Sequence, residues 1–222
     1  MTKLLILSDS HNSTGAVERI LHAESDATAV IFLGDGLRDL EEALTFYPKM
    51  KVYAVAGNCD FGALEPLDGL AAFDQVVIFY THGHMYGVKY DLDTLTDAAE
   101  ARGAEVALFG HTHVPVAKQH GSVFLFNPGS CGRCYTGPNT YGILTLDKGR
   151  IVGINRSVVD VQTHAVEELR IVGIVLVEQR GVVLCGSLGE PVGSSLALAV
   201  TATARAASAT ALAATTAAAS LA

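Results

Sequence analysis

Up to about residue 157 the chain alternates short apolar runs with stretches whose apolar positions fall three or four apart. Residues 3–8 (KLLILS), 29–33 (AVIFL), 52–56 (VYAVA), 75–82 (QVVIFYTH) and 105–109 (EVALF) are nearly unbroken apolar runs. Each is too short for a buried helix and lacks the alternation of a strand wetted on one side, so each reads as a strand covered on both faces. Between them, Ala16, Val17, Ile20 and Leu21 sit at helical spacing within residues 14–24, with Ser13 or Asn12 as the cap. Residues 37–46 also read as helix, as do residues 91–102, capped by Asp91 and ended by Gly103. Residues 122–127, 140–146 and 150–155 follow with little helical signal between them. The pattern predicts an α/β chain whose first half makes one sheet and whose later strands make a second, in a layered sandwich.

Composition narrows the classes. The 222 residues, half of them hydrophobic, suffice for one domain with a full core and an appendage. A net charge of −8 excludes a general nucleic-acid binder, which would carry a basic face. The N-terminal apolar run is too short for a signal peptide, and no segment has the roughly 18 uninterrupted apolar residues of a spanning helix. The expectation is a cytoplasmic protein without a membrane partner. Cys131-Gly132-Arg133-Cys134 has metal-ribbon spacing, but with no second such pair it reads as ordinary loop thiols. Residues 166–190 hold apolar runs for two more strands. From Pro191 onward Arg205 is the only charged residue and Ala, Ser and Thr dominate, which reads as a poorly ordered low-complexity tail.

The candidate chemistry lies at the strand ends. The stretch VALFGHTHVP, residues 106–115, turns from a buried run into two histidines one residue apart. On an extended backbone His111 and His113 would point the same way. The other runs end similarly, in Asp9-Ser10-His11, Gly34-Asp35, Gly57-Asn58 and His82-Gly83-His84. In an open α/β sheet ligands bind at the carboxyl ends of strands, so five strands delivering Asp, Asn or His to that edge converge on one site. Imidazole with carboxylate, and no required thiolate, suits Mn²⁺, Fe, Zn²⁺, Co²⁺ or Ni²⁺. Seven candidate ligands exceed the four positions of one tetrahedral ion, whereas two ions sharing a carboxylate account for them.

Asp9-x-His11, Gly34-Asp35, Gly57-Asn58, His82 and Gly110-His111-Thr112-His113, in that order, resemble the calcineurin-like metallophosphoesterases. The resemblance is strongest to the small prokaryotic phosphodiesterases related to the retromer scaffold subunit, and Asn127-Pro128-Gly129-Ser130 adds to it. It implies a four-layer α-β-β-α sandwich of two facing mixed β-sheets over residues 1–165. It also implies two divalent metal ions, with Mn²⁺ preferred. Asp9, His11 and His113 would bind the first and Asn58, His82 and His111 the second, with Asp35 bridging them. The implied reaction is hydrolysis of a small phosphodiester by a metal-bridging hydroxide. Arg133, and more weakly Arg38, are candidate donors to the phosphoryl oxygens. His84 is a candidate for orienting a ligand or substrate, or for serving as an acid. Many superfamily members have Gly-Asn-His followed by an acid where this chain has Gly57-Asn58-Cys59-Asp60. That histidine assists the leaving group, so activated aryl diesters are expected to react here in preference to alkyl monoesters. The alternative is a metal-binding interaction scaffold with little activity. The expected partners are a small phosphoester and, through an apolar edge of the later sheet, a second copy of the chain. His22 and His164 read as surface residues, and His120 as a turn residue.

Overall fold

The computed structural model describes residues 1–135, 137–159, 166–167, 171–178 and 181–188, with side chains as far as residue 158. The stretch from Pro191 and His164 lie outside the described residues. The strands are β1 (Thr2–Leu7), β2 (Ala29–Phe32), β3 (Val52–Ala54), β4 (Asp68–Phe73), β5 (Val76–Thr81), β6 (Val106–Leu108), β7 (Val116–His120), β8 (Val123–Asn127), β9 (Asn139–Asp147), β10 (Arg150–Val159), β11 (Val166–Glu167), β12 (Ile171–Glu178) and β13 (Gly181–Leu188). The helices are α1 (Thr14–Ala23), α2 (Leu37–Leu44) and α3 (Asp93–Glu100), with a 3₁₀ turn at His84–Tyr86.

Two mixed sheets form. The first has the order β13-β12-β10-β9-β1-β2-β3, with β11 on β10, and the second β4-β5-β6-β8-β7. The sheets therefore do not divide the chain into halves. β9 pairs antiparallel with β1, Leu4 opposite Leu144, so late strands extend the first sheet, while β4, β5 and β6 from the first half of the chain belong to the second. Apolar runs record which faces are buried, not which edge a strand pairs along, and so leave the partition open. The edge strands β4 and β7 were not expected from the pattern. Their residues are mostly half-buried or exposed and carry little continuous apolar signal.

Strand alternation explains the unbroken apolar runs. On β1, Leu4 and Ile6 face the space between the sheets with Ala29, Ile31, Ile78, Val106, Leu108 and Phe126. Leu5 and Leu7 face the other way, with Val30 and Phe32, onto Val17, Ile20 and Leu21 of α1 and Leu40 and Ala43 of α2. On the second sheet Phe79, Ala107 and Leu125 pack against Leu95 and Ala99 of α3. The result is the four-layer α-β-β-α sandwich. Leu4 through Leu7 are all fully buried, each worth about 1.5–3 kcal/mol of transfer free energy.

Two caps differ from the reading of the sequence. Ser13 occupies the cap position of α1, but its hydroxyl donates to the Gly132 carbonyl. Asp39 of α2 takes the capping role, accepting the Ser13 N–H and the Thr14 hydroxyl at 3.1 Å each. α3 starts at Asp93 with Leu92 at its cap, and Asp91 accepts the Asp93 N–H. His120 is the last residue of β7, its ring 2.7 Å from the Asp93 carboxylate, and His22 is exposed. No helix among the described residues is long and apolar enough to cross a membrane.

Candidate metal centre

All seven candidate ligands come together where β1, β2, β3, β5 and β6 run out. Asp9 Oδ1 lies 3.1 Å from His113 Nε2 and 3.7 Å from His11 Nε2. Asp35 Oδ2 lies 3.4 Å from His82 Nε2 and 3.8 Å from His11 Nε2, reaching both halves of the cluster. His82 Nε2 is 3.1 Å from Asn58 Oδ1 and 3.2 Å from His111 Nδ1. Ligand atoms of Asp9, His11 and His113 form one compact group and those of Asp35, His82 and His111 another.

The histidine pair does not sit on an extended backbone. β6 ends at Leu108, and His111 and His113 have φ of 65° and 58°. The two rings part, His113 toward Asp9 and His11, His111 toward His82 and Asp35. Asp9, His11 and Asp35 also have positive φ, at 57°, 45° and 57°. Such a conformation costs an L-residue roughly 1–2 kcal/mol, and five at one site mark a place where geometry is held against backbone preference.

The donor atoms fit divalent cations. His82 Nδ1 is 2.7 Å from the Leu33 carbonyl and His113 Nδ1 is 2.8 Å from the Arg133 carbonyl. A carbonyl only accepts, so both rings carry their proton on Nδ1 and, when neutral, aim an Nε2 lone pair inward. His113 Nε2 then meets His11 Nε2 at 3.1 Å, and His82 Nε2 meets the Asn58 carbonyl oxygen. Asp9 Oδ1 is buried without a hydrogen-bond donor among the described residues. Converging lone pairs and a buried carboxylate oxygen need positive charge between them. Burial pushes the Asp9 carboxyl up, but positive charge on the imidazoles that contact it outweighs this and holds it well below the usual carboxylate range, as a cation between the lone pairs would. Asp35, buried too, is brought down to about 2 by positive charge on His82 and by the Cys59 N–H. Burial and the neighbouring His82 lower His111 to about 4, keeping it neutral and ligand-ready.

Residues without a predicted role hold the ligand loops. One Asp60 oxygen accepts the N–H groups of Asp35 (2.7 Å) and Gly57 (2.8 Å), and the other those of Gly36 (2.8 Å) and Leu37 (3.0 Å). This carboxylate ties the Asp35 loop to the Asn58 loop and caps α2. The two loops touch closely, since a Cβ on Gly34 (φ +92°) would fall 2.5 Å from the Gly57 nitrogen. Ser130 donates to the Asp9 carbonyl at 2.7 Å, and Asn127 donates to the Gly110 carbonyl at 3.0 Å. The Gly57-Asn58-Cys59-Asp60 segment marks Asp60 as the acid of a motif but not what it holds, because three of its four partners are backbone groups of the Asp35 loop and only Gly57 belongs to its own.

The two candidate catalytic residues flank the cluster. His84 is half-buried with its ring centroid 5.4 Å from His82 and 6.1 Å from His111, and its Nδ1 is buried without a partner among the described residues. Burial and His82 lower its pKa, so the ring is neutral near pH 7. Arg133 contributes its main-chain carbonyl to His113, while its exposed guanidinium lies 5.3 Å from the Tyr135 ring centroid. Arg38 is exposed, 3.6 Å from Glu42. Cys59, Cys131 and Cys134 are free thiols. Partial burial and Asp35 push Cys59 up to about 11, and Cys131 is fully buried.

The sequence profile of the calcineurin-like phosphoesterase superfamily domain matches residues 2–149. The phosphodiesterase YfcE of Escherichia coli K12 is 35% identical over 180 residues, spanning 70% of this chain and 94% of that protein. The crystal structure of a conserved uncharacterized protein from Streptococcus pneumoniae TIGR4, described as a predicted phosphoesterase, superposes with a TM-score of 0.62. It is 25% identical and covers 75% of this chain and 96% of its own. Vacuolar Protein Sorting 29 from Cryptosporidium parvum superposes with a TM-score of 0.61 at 18% identity, covering 75% and 94%, a likeness of fold alone. With its strand-end ligands gathered on this sandwich, and the family profile spanning both sheets, the chain belongs to the calcineurin-like phosphoesterase superfamily.

Proposed function

We propose that the protein is a cytoplasmic phosphodiesterase that holds two divalent cations, Mn²⁺ foremost, and hydrolyses a small phosphodiester. The observation that carries this reading is Asp35, whose Oδ2 stands between His11 and His82 and so joins two ligand groups into one site. Asp9, His11 and His113 would hold one cation and Asn58, His82 and His111 the other. When bound, such a pair polarises phosphoryl oxygens and lowers the pKa of water.

The chain's own groups prepare that chemistry. Leu33 and Arg133 carbonyls fix two imidazole tautomers with lone pairs inward. Asp9 and Asp35 stay ionised at neutral pH despite burial. Asp60 sets the spacing of the Asp35 and Asn58 loops. Hydrolysis adds water across one P–O bond, giving a phosphomonoester and an alcohol, and the departing oxygen needs either a proton or a stable anion. Cys59, its thiol pushed up to about 11, is a poor proton donor. Leaving groups that are stable as anions, such as phenolates, therefore suit the site best. Competent ligands at all seven positions support the hydrolase reading over a scaffold, in which those side chains would be free to change.

The test is Asp35→Ala. Metal content measured by elemental analysis after Mn²⁺ loading should fall, and hydrolysis of bis(p-nitrophenyl) phosphate should be abolished. Undiminished turnover in that variant removes the proposal.

A further inference from the structure

A groove of about 750 Å³ opens onto the candidate centre at His11 and Asp35 and runs away from it between α2, the edge strand β3 and residues 59–65. A phosphoryl group fills only a small part of such a volume, which lies in the range of sites for organic ligands. The groove's lining is mixed: half-buried Leu37, Leu44, Val52 and Ala54, which pack below on the helix-side core, form its apolar part, and polar residues such as Asn12 and Asp39 form the rest. Phe61 also lines it and is 93% exposed, an aromatic ring without a packing partner beside the centre. Glu41 and Glu65 add negative charge at the groove, and the Arg38 guanidinium is engaged with Glu42. A further anionic group on the ligand would be repelled there.

Resting on the hydrolase reading above, we propose that this groove seats an ester substituent of the phosphodiester, and that the substituent is uncharged and aromatic, packing on Phe61. A diester presents its substituents directly from the phosphorus. A phosphoryl group at the cluster therefore puts one of them at the groove mouth, where apolar area is there to be covered. A charged diphosphate extension or a small alkyl group would leave that area wet.

The test uses the Mn²⁺-loaded full chain and needs no turnover. Phenylphosphonate and methylphosphonate are titrated by calorimetry into the wild type and into Phe61→Ala, whose truncated side chain is so exposed that the melting temperature should not move. The wild type should bind phenylphosphonate about tenfold more tightly than methylphosphonate, and Phe61→Ala should reduce that ratio to about twofold or less. No phenyl preference in the wild type, including no binding of either probe, overturns the proposal, as does an unchanged ratio in the variant. Kinetics give a second reading from two diesters that release the same phenolate, bis(p-nitrophenyl) phosphate and methyl p-nitrophenyl phosphate. Phe61→Ala should raise KM for the first about tenfold and leave the second within about twofold. Equal changes for both overturn the groove assignment. A retained phenyl preference in binding without any turnover supports the groove and removes the hydrolase reading instead.

Discussion

Replacing Gly57 by alanine separates the geometry of the centre from the general stability of the fold. An added Cβ would stand 2.0 Å from Asp35 Oδ1 and 2.5 Å from the Asp35 nitrogen. Gly57 is not among the residues with positive φ, so the alanine backbone is unstrained and the whole effect is steric. The Asp35 carboxylate has to move, giving up the Cys59 N–H at 2.7 Å and its approaches to His82 and His11. Overpacking costs about 1–3 kcal/mol and loss of a hydrogen bond to an ionised group about 1.5–3 kcal/mol, together about 2.5–6 kcal/mol. For a chain of this size that lowers the melting temperature by at least about 5 °C. Displacing Asp35, the proposed shared ligand, should weaken Mn²⁺ binding by more than about tenfold. Gly62→Ala is the control, because Gly62 has φ +80° and nothing within 4 Å of its added Cβ. It should lose about 1–2 kcal/mol from the backbone alone and keep its Mn²⁺ affinity. The assay pairs differential scanning calorimetry with Mn²⁺ titration of both variants. Wild-type Mn²⁺ affinity and turnover in Gly57→Ala would show that Asp35 is not where the site needs it.

Three further outcomes follow from the same contacts. Asp60→Asn keeps the side-chain shape but sets an NH₂ donor against two of the four N–H groups, which should cost about 3 kcal/mol in a denaturant melt and weaken Mn²⁺ binding about 10–100-fold. Cys59→Ala should keep aryl diester turnover within a few-fold, since loss of a true general acid would cost about a hundredfold or more in kcat. The third concerns Lys3, which contacts Glu24 at 2.7 Å and Asp26 at 2.6 Å. Burial lowers its pKa, but the bonds to Asp26 and Glu24 more than compensate and raise it above the ordinary value. Its stabilisation is therefore full below about pH 10 and lost as pH rises through the folded pKa. Asp26, lowered chiefly by its hydrogen bond to Lys3, adds stability above about pH 4 that is lost as pH falls through its folded pKa. The melting-temperature gap between wild type and Lys3→Met should be small, flat between these limits and narrower beyond both, and a gap independent of pH would remove the ionic account.

The apolar runs and the polar residues that end them were legible without coordinates. A run such as Leu4–Leu7 has to be buried on both faces, and Asp9, Asp35, Asn58, His82 and His111 each follow such a run, so their convergence at one sheet edge follows from local chemistry and chain direction. Only the tertiary structure decided that β9 pairs with β1, and β10 with β9, rather than either with β8, because strand edges offer the same N–H and C=O groups whatever the side chains. It also decided how His111 and His113, which the resemblance assigns to different ions, come to face different groups of ligand atoms, through left-handed turns that alternation along an extended strand does not encode. What Asp60 holds was not legible, for a related reason, although its place after Gly57-Asn58-Cys59 was. Its distant partners are the main-chain N–H groups of residues 35, 36 and 37, beside that of Gly57 in its own loop, and a backbone donor leaves no mark in a sequence until folding brings it within reach of an acceptor.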